Sequence, residues 1–561
     1  MKLATTLLLA SISATPLHAQ TPNLGPNVLL ITPATPQAEA QQAINTIYAT
    51  QQHNEFGPER NAILFAPGTY HLDIPIGFYT QVLGLGANPD ATHILGNVHV
   101  DATLPHNNAT CTFWRGAENF SITPTGGNMQ WAVSQAIPMR RMHILGDLTL
   151  HQQHGWASGG WLSDSLIDGT IDSGPQQQWI SRNSQWKSWT GANWNMVFVG
   201  DPHAPSSTWP KPANTTIAQT PIIREKPFLF IDSTKHWQVH VPELQHNTTG
   251  TTWQQHPTPG TNIPLTNFYI ATPADTAQTL NTQLQRGKHL LFTPGIYALT
   301  EPLHITHANT LLLGLGFATL QPTQGTAAIL TDDVDNLTLA GLLIDAGPTQ
   351  SSTLVQIGEP TQHHSHTTKP TALFDIFFRI GGAGPGRTHS NLTINSNDTL
   401  VDHTWIWRAD HGHNVGWTDN LSDNGLIVEH HQQYQVLWNG NAGRTFFYQS
   451  EIPYDPPTQS AYTSAPQTNG WASYKVSPNV TQHEAFGLGI YSVFRHPDIF
   501  VTSAIEAPLT PNVRFHDIIT VCLDTNGGIQ NVVNHTGGST SCRPRFTPQL
   551  TLFHTTDLSK H

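Results

Sequence analysis

Two stretches decide the fold of this chain: AILFAPGTYHL at residues 62–72 and HLLFTPGIYAL at residues 289–299. Each is an apolar run, a Pro-Gly turn and a second short run containing tyrosine. Further features follow both copies in the same order. The first continues to QVLGLG (81–86) and ENFSI (118–122), the second to LLLGLG (311–316) and DNLTL (335–339). A helix-forming segment precedes each: TPATPQAEAQQAINTIY at 32–48 and TPADTAQTLNTQLQRG at 272–287. Four features kept in order mark an internal duplication.

The apolar runs are short, Leu-rich or β-branched, and end at Gly, Pro, Asn or Asp. They recur about every 20–25 residues, the spacing of coils in a parallel β-helix. Asn and Thr at coil corners stack into ladders, and a helix covers the open first coil. Hairpin dipeptides such as Asn-Gly are few, which places a β-sandwich or jelly roll second. The expected fold is all-β: two tandem parallel β-helices packed side by side. The first is expected over residues 20–200 and the second, with a C-terminal extension, over 265–561. Residues 201–264 read as a linker and inter-domain segment, rich in Pro, Thr and His (PHAPSSTWPKPANTT) with a strand-like patch, EKPFLFID. Rods joined in this way form a cleft between them, a favoured place for ligands.

Composition narrows the ligand. Net charge is −13 with only 24 Lys and Arg, and no cationic cluster is present to neutralise phosphates. This excludes nucleic acid, and it disfavours polyanions such as pectate or alginate. A neutral polysaccharide or oligosaccharide fits better, because the 16 Trp and 11 Tyr can stack on the C–H faces of sugar rings. The N-terminal MKLATTLLLASISATPLHAQ reads as a signal peptide over residues 1–19, implying a secreted, extracellular protein. No later run reaches 18 apolar residues, so no membrane association is expected. Of three cysteines, Cys522 and Cys542 are placed to close one loop, leaving Cys111 free. N-x-S/T sequons are scattered along the chain, but those in strand-like runs, such as Asn119 and Asn336, are poor glycan acceptors. A monomer is expected.

The candidate chemistry lies in GLIVEHHQQYQVLWNGNAGRTFFYQSEIPYDPP, residues 425–457. Glu429 and Glu451 are 22 residues apart, about one coil, so they occupy equivalent places on adjacent coils. Backbones about 5 Å apart cannot both carry ionised carboxylates cheaply, and one is expected to stay protonated. A protonated carboxyl beside an ionised one is what glycosidic cleavage needs. Asp402 and Asp410, in VDHTWIWRADHGH (401–413), are further catalytic candidates. Trp405, Trp407, Arg408 and His411 of the same stretch are candidates to line sugar subsites. Trp438, Gln449 and Tyr454 flank the glutamates, and Gln178 and Trp179 in the first half face the partner rod or the substrate. His411 and His413 form a His-Gly-His motif without a clear third ligand, so neither metal nor cofactor is expected.

YQSEIPYDPP (448–457) resembles the Gln-x-Glu-x-Pro-Tyr segment of the glycoside hydrolase family 55 β-1,3-glucanases. The resemblance implies two tandem right-handed β-helices and exo-type hydrolysis of β-1,3-glucan with inversion. It also implies Glu451 as general acid and Glu429 as a supporting carboxylate. The chain is similar, too, to secreted microbial proteins labelled coagulation factor 5/8-type or adenylyl cyclase, although it holds no discoidin or cyclase motif. Two other readings stay open from the sequence: a polysaccharide lyase on the same scaffold, and a non-catalytic glycan-binding β-helix. Carboxylates on adjacent coils stand closer than the spacing of inverting enzymes, so Glu429 need not be the sole base.

Overall fold

A computed structural model describes residues 21–413, 415–419, 421–424, 428–524, 527–543 and 545–554. The expected signal peptide lies outside them. Two parallel β-helices run side by side. In the first rod, a nine-stranded parallel sheet extends from Val28–Ile31 to Asn214–Ile217, backed by an eight-stranded sheet. In the second, a thirteen-stranded sheet extends from Phe268–Ala271 to Gln549–Phe553, backed by a five-stranded sheet.

The duplicated motif has a physical explanation at each position. In Asn61–Phe65, Ile63 and Phe65 enter the core of the first rod, while Ala62 and Leu64 pack in the seam against the second. In His289–Phe292, Leu290 and Phe292 enter the second core, and Leu291 joins the seam. Strand side chains alternate between faces, so a strand buried on both reads as continuous apolar sequence. The tyrosine after each Pro-Gly turn reaches back across it. Tyr70 donates to the Ala66 carbonyl at 2.6 Å, and Tyr297 to the Thr293 carbonyl at 2.8 Å. The asparagines of ENFSI and DNLTL sit at coil corners with φ of 59° and 62°. Asparagine tolerates this left-handed conformation better than most residues. Asn119 also donates to the carbonyls of Gly84 and Gly86, tying one coil to the previous one.

The lead-in helices cover the open ends. Gln37–Gln51 buries Ala40 and Ile44 in the first core. Ala277–Gln285, N-capped by Thr276 on the Thr279 N–H, buries Ala277, Leu280 and Leu284 in the second. No described helix is long and apolar enough to cross a membrane. Cys522 and Cys542 form a disulfide, with Cα atoms 5.3 Å apart.

Residues 201–264 are more than a linker. Asn214–Ile217 adds the last strand of the first rod's large sheet. Phe228–Ile231, Trp237–Pro242 and Gly260–Pro264 form an antiparallel sheet whose Leu229, Trp237 and Val239 pack in the seam between the rods. Phe228–Ile231 lies inside the strand-like patch EKPFLFID, as expected; the Pro- and Thr-rich composition concealed the others, each only four to six residues long.

A buried ionic network fastens the rods. Arg140 of the first rod pairs with Asp375 and Asp402 of the second, both contacts at 2.8 Å. Arg182 pairs with Asp402 and with Glu225, and Lys226 bridges Glu118 and Asp375. Burial opposes charge on Asp375, but Arg140, Lys226 and a hydrogen bond from His403 outweigh it and hold the carboxyl well below the usual range. Asp402 is therefore part of an inter-rod clamp, correcting its expected catalytic role. Removing one partner of such a network strands a buried charge. Asp375→Ala is expected to cost roughly 3–5 kcal/mol in urea unfolding; a loss below about 1 kcal/mol would show that the network does not hold the rods together.

Candidate active site

One row of the second rod's large sheet carries, on successive strands, Trp407, Glu429, Glu451 and Tyr491, each in register with the next. Parallel strands stand about 4.8 Å apart, so side chains in one row touch. Glu429 is 4% exposed. Its Oε1 accepts from Gln449 Nε2 at 2.6 Å, on the same rod, and from Gln135 Nε2 at 2.9 Å, on the other. Ser134 and Ser158 bond the carbonyl end of Gln135, which turns its amide toward Glu429. Glu429 Oε2 takes part in neither amide bond. Tyr454 donates to Glu451 Oε2, and the Glu451 carbonyl accepts from His430 N–H at 2.7 Å. A groove of about 1230 Å³ runs between the rods and is lined by both Gln135 and Gln449.

A third carboxylate, Asp410, stands nearby, 3.8 Å from His430 Nε2, which is itself 4.0 Å from Glu451 Oε2. His411 bonds Asp410 at 2.9 Å and Glu55 of the first rod at 2.7 Å. Burial opposes charge on His411, yet these two carboxylates outweigh it and push its pKa up to about 10. Burial would also raise Asp410, but the His411 bond and the charges of His430, His411 and Arg495 keep it ionised, well below the usual range. The other two carboxyls move the opposite way. Burial, opposed by the Gln449 bond, raises Glu429 to about 7. Burial, with the charges of Glu429 and Asp410 added, raises Glu451 well above the ordinary range. The arrangement holds one carboxyl protonated beside one that ionises near neutrality.

The LAM55 pectate lyase-like domain family matches residues 268–451. An exo-β-1,3-glucanase from Streptomyces sp. (strain SirexAA-E / ActE) is 45% identical over 546 residues, covering 95% of this chain and 90% of that protein. The chain belongs to glycoside hydrolase family 55. The solved structure of sacteLam55A from Streptomyces sp. SirexAA-E superposes on this family 55 chain with a TM-score of 0.92. That match has 45% identity and covers 94% of this chain and 98% of the other. A Glu→Ala variant of sacteLam55A in complex with glucose matches equally, with a TM-score of 0.92 at 44% identity over 95% and 99% of the two chains. None of these relatives carries a coagulation-factor or cyclase label.

Within the family 55 scaffold, the expected site residues divide into those that converge and those that do not. Glu429, Glu451, Asp410, His411, Gln449 and Tyr454 converge. Trp438 lines the groove, and a Cβ at Gly443 would run into its ring. Gln178 lines it also, donating to the Ser158 carbonyl at 2.9 Å. Trp405 edges the groove at 1% exposure; its indole N–H lies near Glu429 without meeting hydrogen-bond geometry. Three candidates are corrected. Trp407 is buried in the aromatic seam between the rods, against Phe113 and Trp114. Trp179 is buried inside the first rod. Arg408 is consumed by Asp455, at 2.8 Å, and by backbone carbonyls. Trp407 shares the row of Glu429 and is closed over by aromatic rings of the first rod; spacing along the sequence does not report what packs on each side chain. Gln135 and Glu55 were missed: no local motif marks them, and the fold brings Gln135 to a partner 294 residues away.

The raised carboxyls set a stability dependence. Both hold their proton more tightly in the folded chain, so the unfolded chain ionises first as pH rises past the ordinary value of 4.5. The contribution of these two carboxyls to stability therefore falls from about pH 4.5 upward, through about 7 for Glu429. Glu451→Gln is expected to stabilise the chain by roughly 1–3 kcal/mol at about pH 8, with the gain vanishing below about pH 4. Unfolding at the two pH values checks this, and a gain independent of pH would refute it.

Proposed function

We propose that this family 55 chain is a secreted exo-acting hydrolase of β-1,3-glucan that inverts the anomeric centre. The carrying observation is the registered pair Glu429–Glu451, one carboxyl held protonated and the other anchored through a single oxygen. Glu451 donates its proton to the glycosidic oxygen as the bond to the anomeric carbon breaks. Glu429, oriented by Gln135 and Gln449, leaves Oε2 to accept a proton from the attacking water; the rung spacing fixes the two backbones, and the side-chain rotamers open the wider carboxyl separation that inversion needs. Asp410 remains ionised and keeps Glu451 protonated until the proton is needed. The name of the Streptomyces relative, exo-β-1,3-glucanase, supports the substrate and the mode of attack. The low cation content argues against a uronate lyase, which needs a positive charge to neutralise the substrate carboxylate. Secretion is supported by the N-terminal sequence and by the Cys522–Cys542 disulfide, which suits an oxidising compartment.

The wild-type chain is expected to release glucose from laminarin, with the α-anomer appearing first by proton NMR. First appearance of the β-anomer would overturn inversion. Glu451→Gln is expected to lower kcat by roughly 10³-fold on unactivated glucan; a variant within about tenfold of wild type would remove Glu451 from the acid role.

A further inference from the structure

The loop between the first lead-in helix and Asn61–Phe65 reaches across to the second rod. Its Phe56 stacks on Trp407, with 6.1 Å between ring centres and 15° between planes, and meets His411 edge-on at 5.7 Å. The His411-Gly412-His413 motif makes room for it. A Cβ at Gly412 would lie 2.8 Å from the Phe56 ring, and one at Gly382 would collide with the same ring. Both glycines have positive φ, 105° and 83°, so a larger residue is excluded twice over. The Tyr79 hydroxyl, itself bonded by Arg379 of the second rod, donates to the Glu55 carbonyl. These contacts fix the carboxylate next to Phe56.

Glu55 Oε1 lies 2.7 Å from His411 Nε2, and Asp410 Oδ1 lies 2.9 Å from His411 Nδ1. An ionised carboxylate only accepts, so both ring nitrogens must carry a proton for both bonds to form. His411 is therefore an imidazolium clasped by one carboxylate from each rod. None of these three described residues lines the groove. Around the clasp stand His430, 3.8 Å from Asp410, and the half-exposed Arg495, 3.7 Å from it. The Cys111 thiol is also near; burial and the charges of Glu55, Asp410 and Glu451 push it up to about 12, so it stays neutral. Phe113 and Trp407 pack on the His411 ring beside Phe56.

The clasp decides where one proton resides. Of the carboxyls at this centre, the one best compensated by positive charge gives up its proton most readily. His411, with Arg495, makes that one Asp410, and the proton stays on Glu451, where cleavage needs it. A neutral imidazole would leave Asp410 competing for the proton.

We propose that Glu55 is a positioning residue for the acid: contributed by the first rod, it holds His411 as a cation on Asp410 and so keeps the shared proton on Glu451. This inference deepens the hydrolytic function proposed above and rests on it.

The test measures kcat and KM on laminarin from about pH 5 to about pH 9 for the full chain, Glu55→Gln, His411→Gln and the double variant. Glu55→Gln keeps the shape of the side chain and removes its charge. His411 then loses its proton between its ordinary 6.5 and the value of about 10 that two carboxylates sustain. Below about pH 6 the imidazole is charged either way, and kcat is expected to stay within about twofold of wild type. By about pH 9 kcat is expected to fall roughly tenfold relative to wild type, with KM unchanged. The double variant is expected to lose no more than His411→Gln alone, since Glu55 acts through that ring. No deficit in Glu55→Gln, a deficit equal at every pH, or losses that multiply in the double variant would each overturn the clasp while leaving the hydrolase reading intact. A wild-type chain that releases no glucose from laminarin would sink the hydrolase reading and the clasp with it.

Discussion

Parallel strand pairing at a fixed rung spacing is the constraint on which this molecule depends. Each coil repeats the course of the one before, so residues one coil apart, 22 positions for Glu429 and Glu451 and 40 for Glu451 and Tyr491, meet in a row with backbones about 4.8 Å apart. That spacing brings Glu429 and Glu451 together, sets Tyr491 beside them and aligns Asn119 with the carbonyls of the previous coil. It also sets the chemistry. Two carboxyls at this distance, screened from water by a second rod, divide one proton unequally.

The second rod supplies what a single β-helix lacks. An isolated rod would expose its flat outer sheet, and Ala62, Leu64, Leu291 and Leu313 would face water. Packing the large sheets face to face covers this surface and encloses the charges between them. Arg140, Arg182 and Lys226 meet carboxylates contributed by both rods and by the segment joining them, which suits orientation more than raw stability. The same face-to-face packing delivers Gln135 to Glu429 and Glu55 to His411. The site is thus a product of the interface, and a change in how the rods meet would be felt as a change in its electrostatics.

Stability and function are opposed at this centre. Burying Glu429 and Glu451 raises their proton affinity, useful for proton donation and costly once the pH favours ionisation. The surrounding groups limit that cost: two amides satisfy Glu429, Tyr454 bonds Glu451, and His411 with Arg495 balances Asp410.

Much of the architecture was legible in the chain because its signals are local and repeated. The paired PGxY segments, the GLG turns and the corner asparagines each encode a turn or an alternation that any coil must satisfy, so the duplication, the β-helical class and the contact of residues 429 and 451 follow from sequence. The spacing of 22 residues predicts a neighbour because coil length is itself a local property. The outcome for Asp402, Trp407, Trp179 and Arg408 was not legible. Each has a residue type suited to a sugar site, but groups from elsewhere in the chain take up Asp402, Trp407 and Arg408, and the core of its own rod takes up Trp179. Gln135 and Glu55 were hidden because the groups they meet, Glu429 and His411, lie hundreds of residues further along the chain. The sequence by itself determined what stacks within a rod, because one coil templates the next. Only the tertiary structure decided what lies across the cleft, because the register of one rod against the other is set by side-chain packing between surfaces hundreds of residues apart.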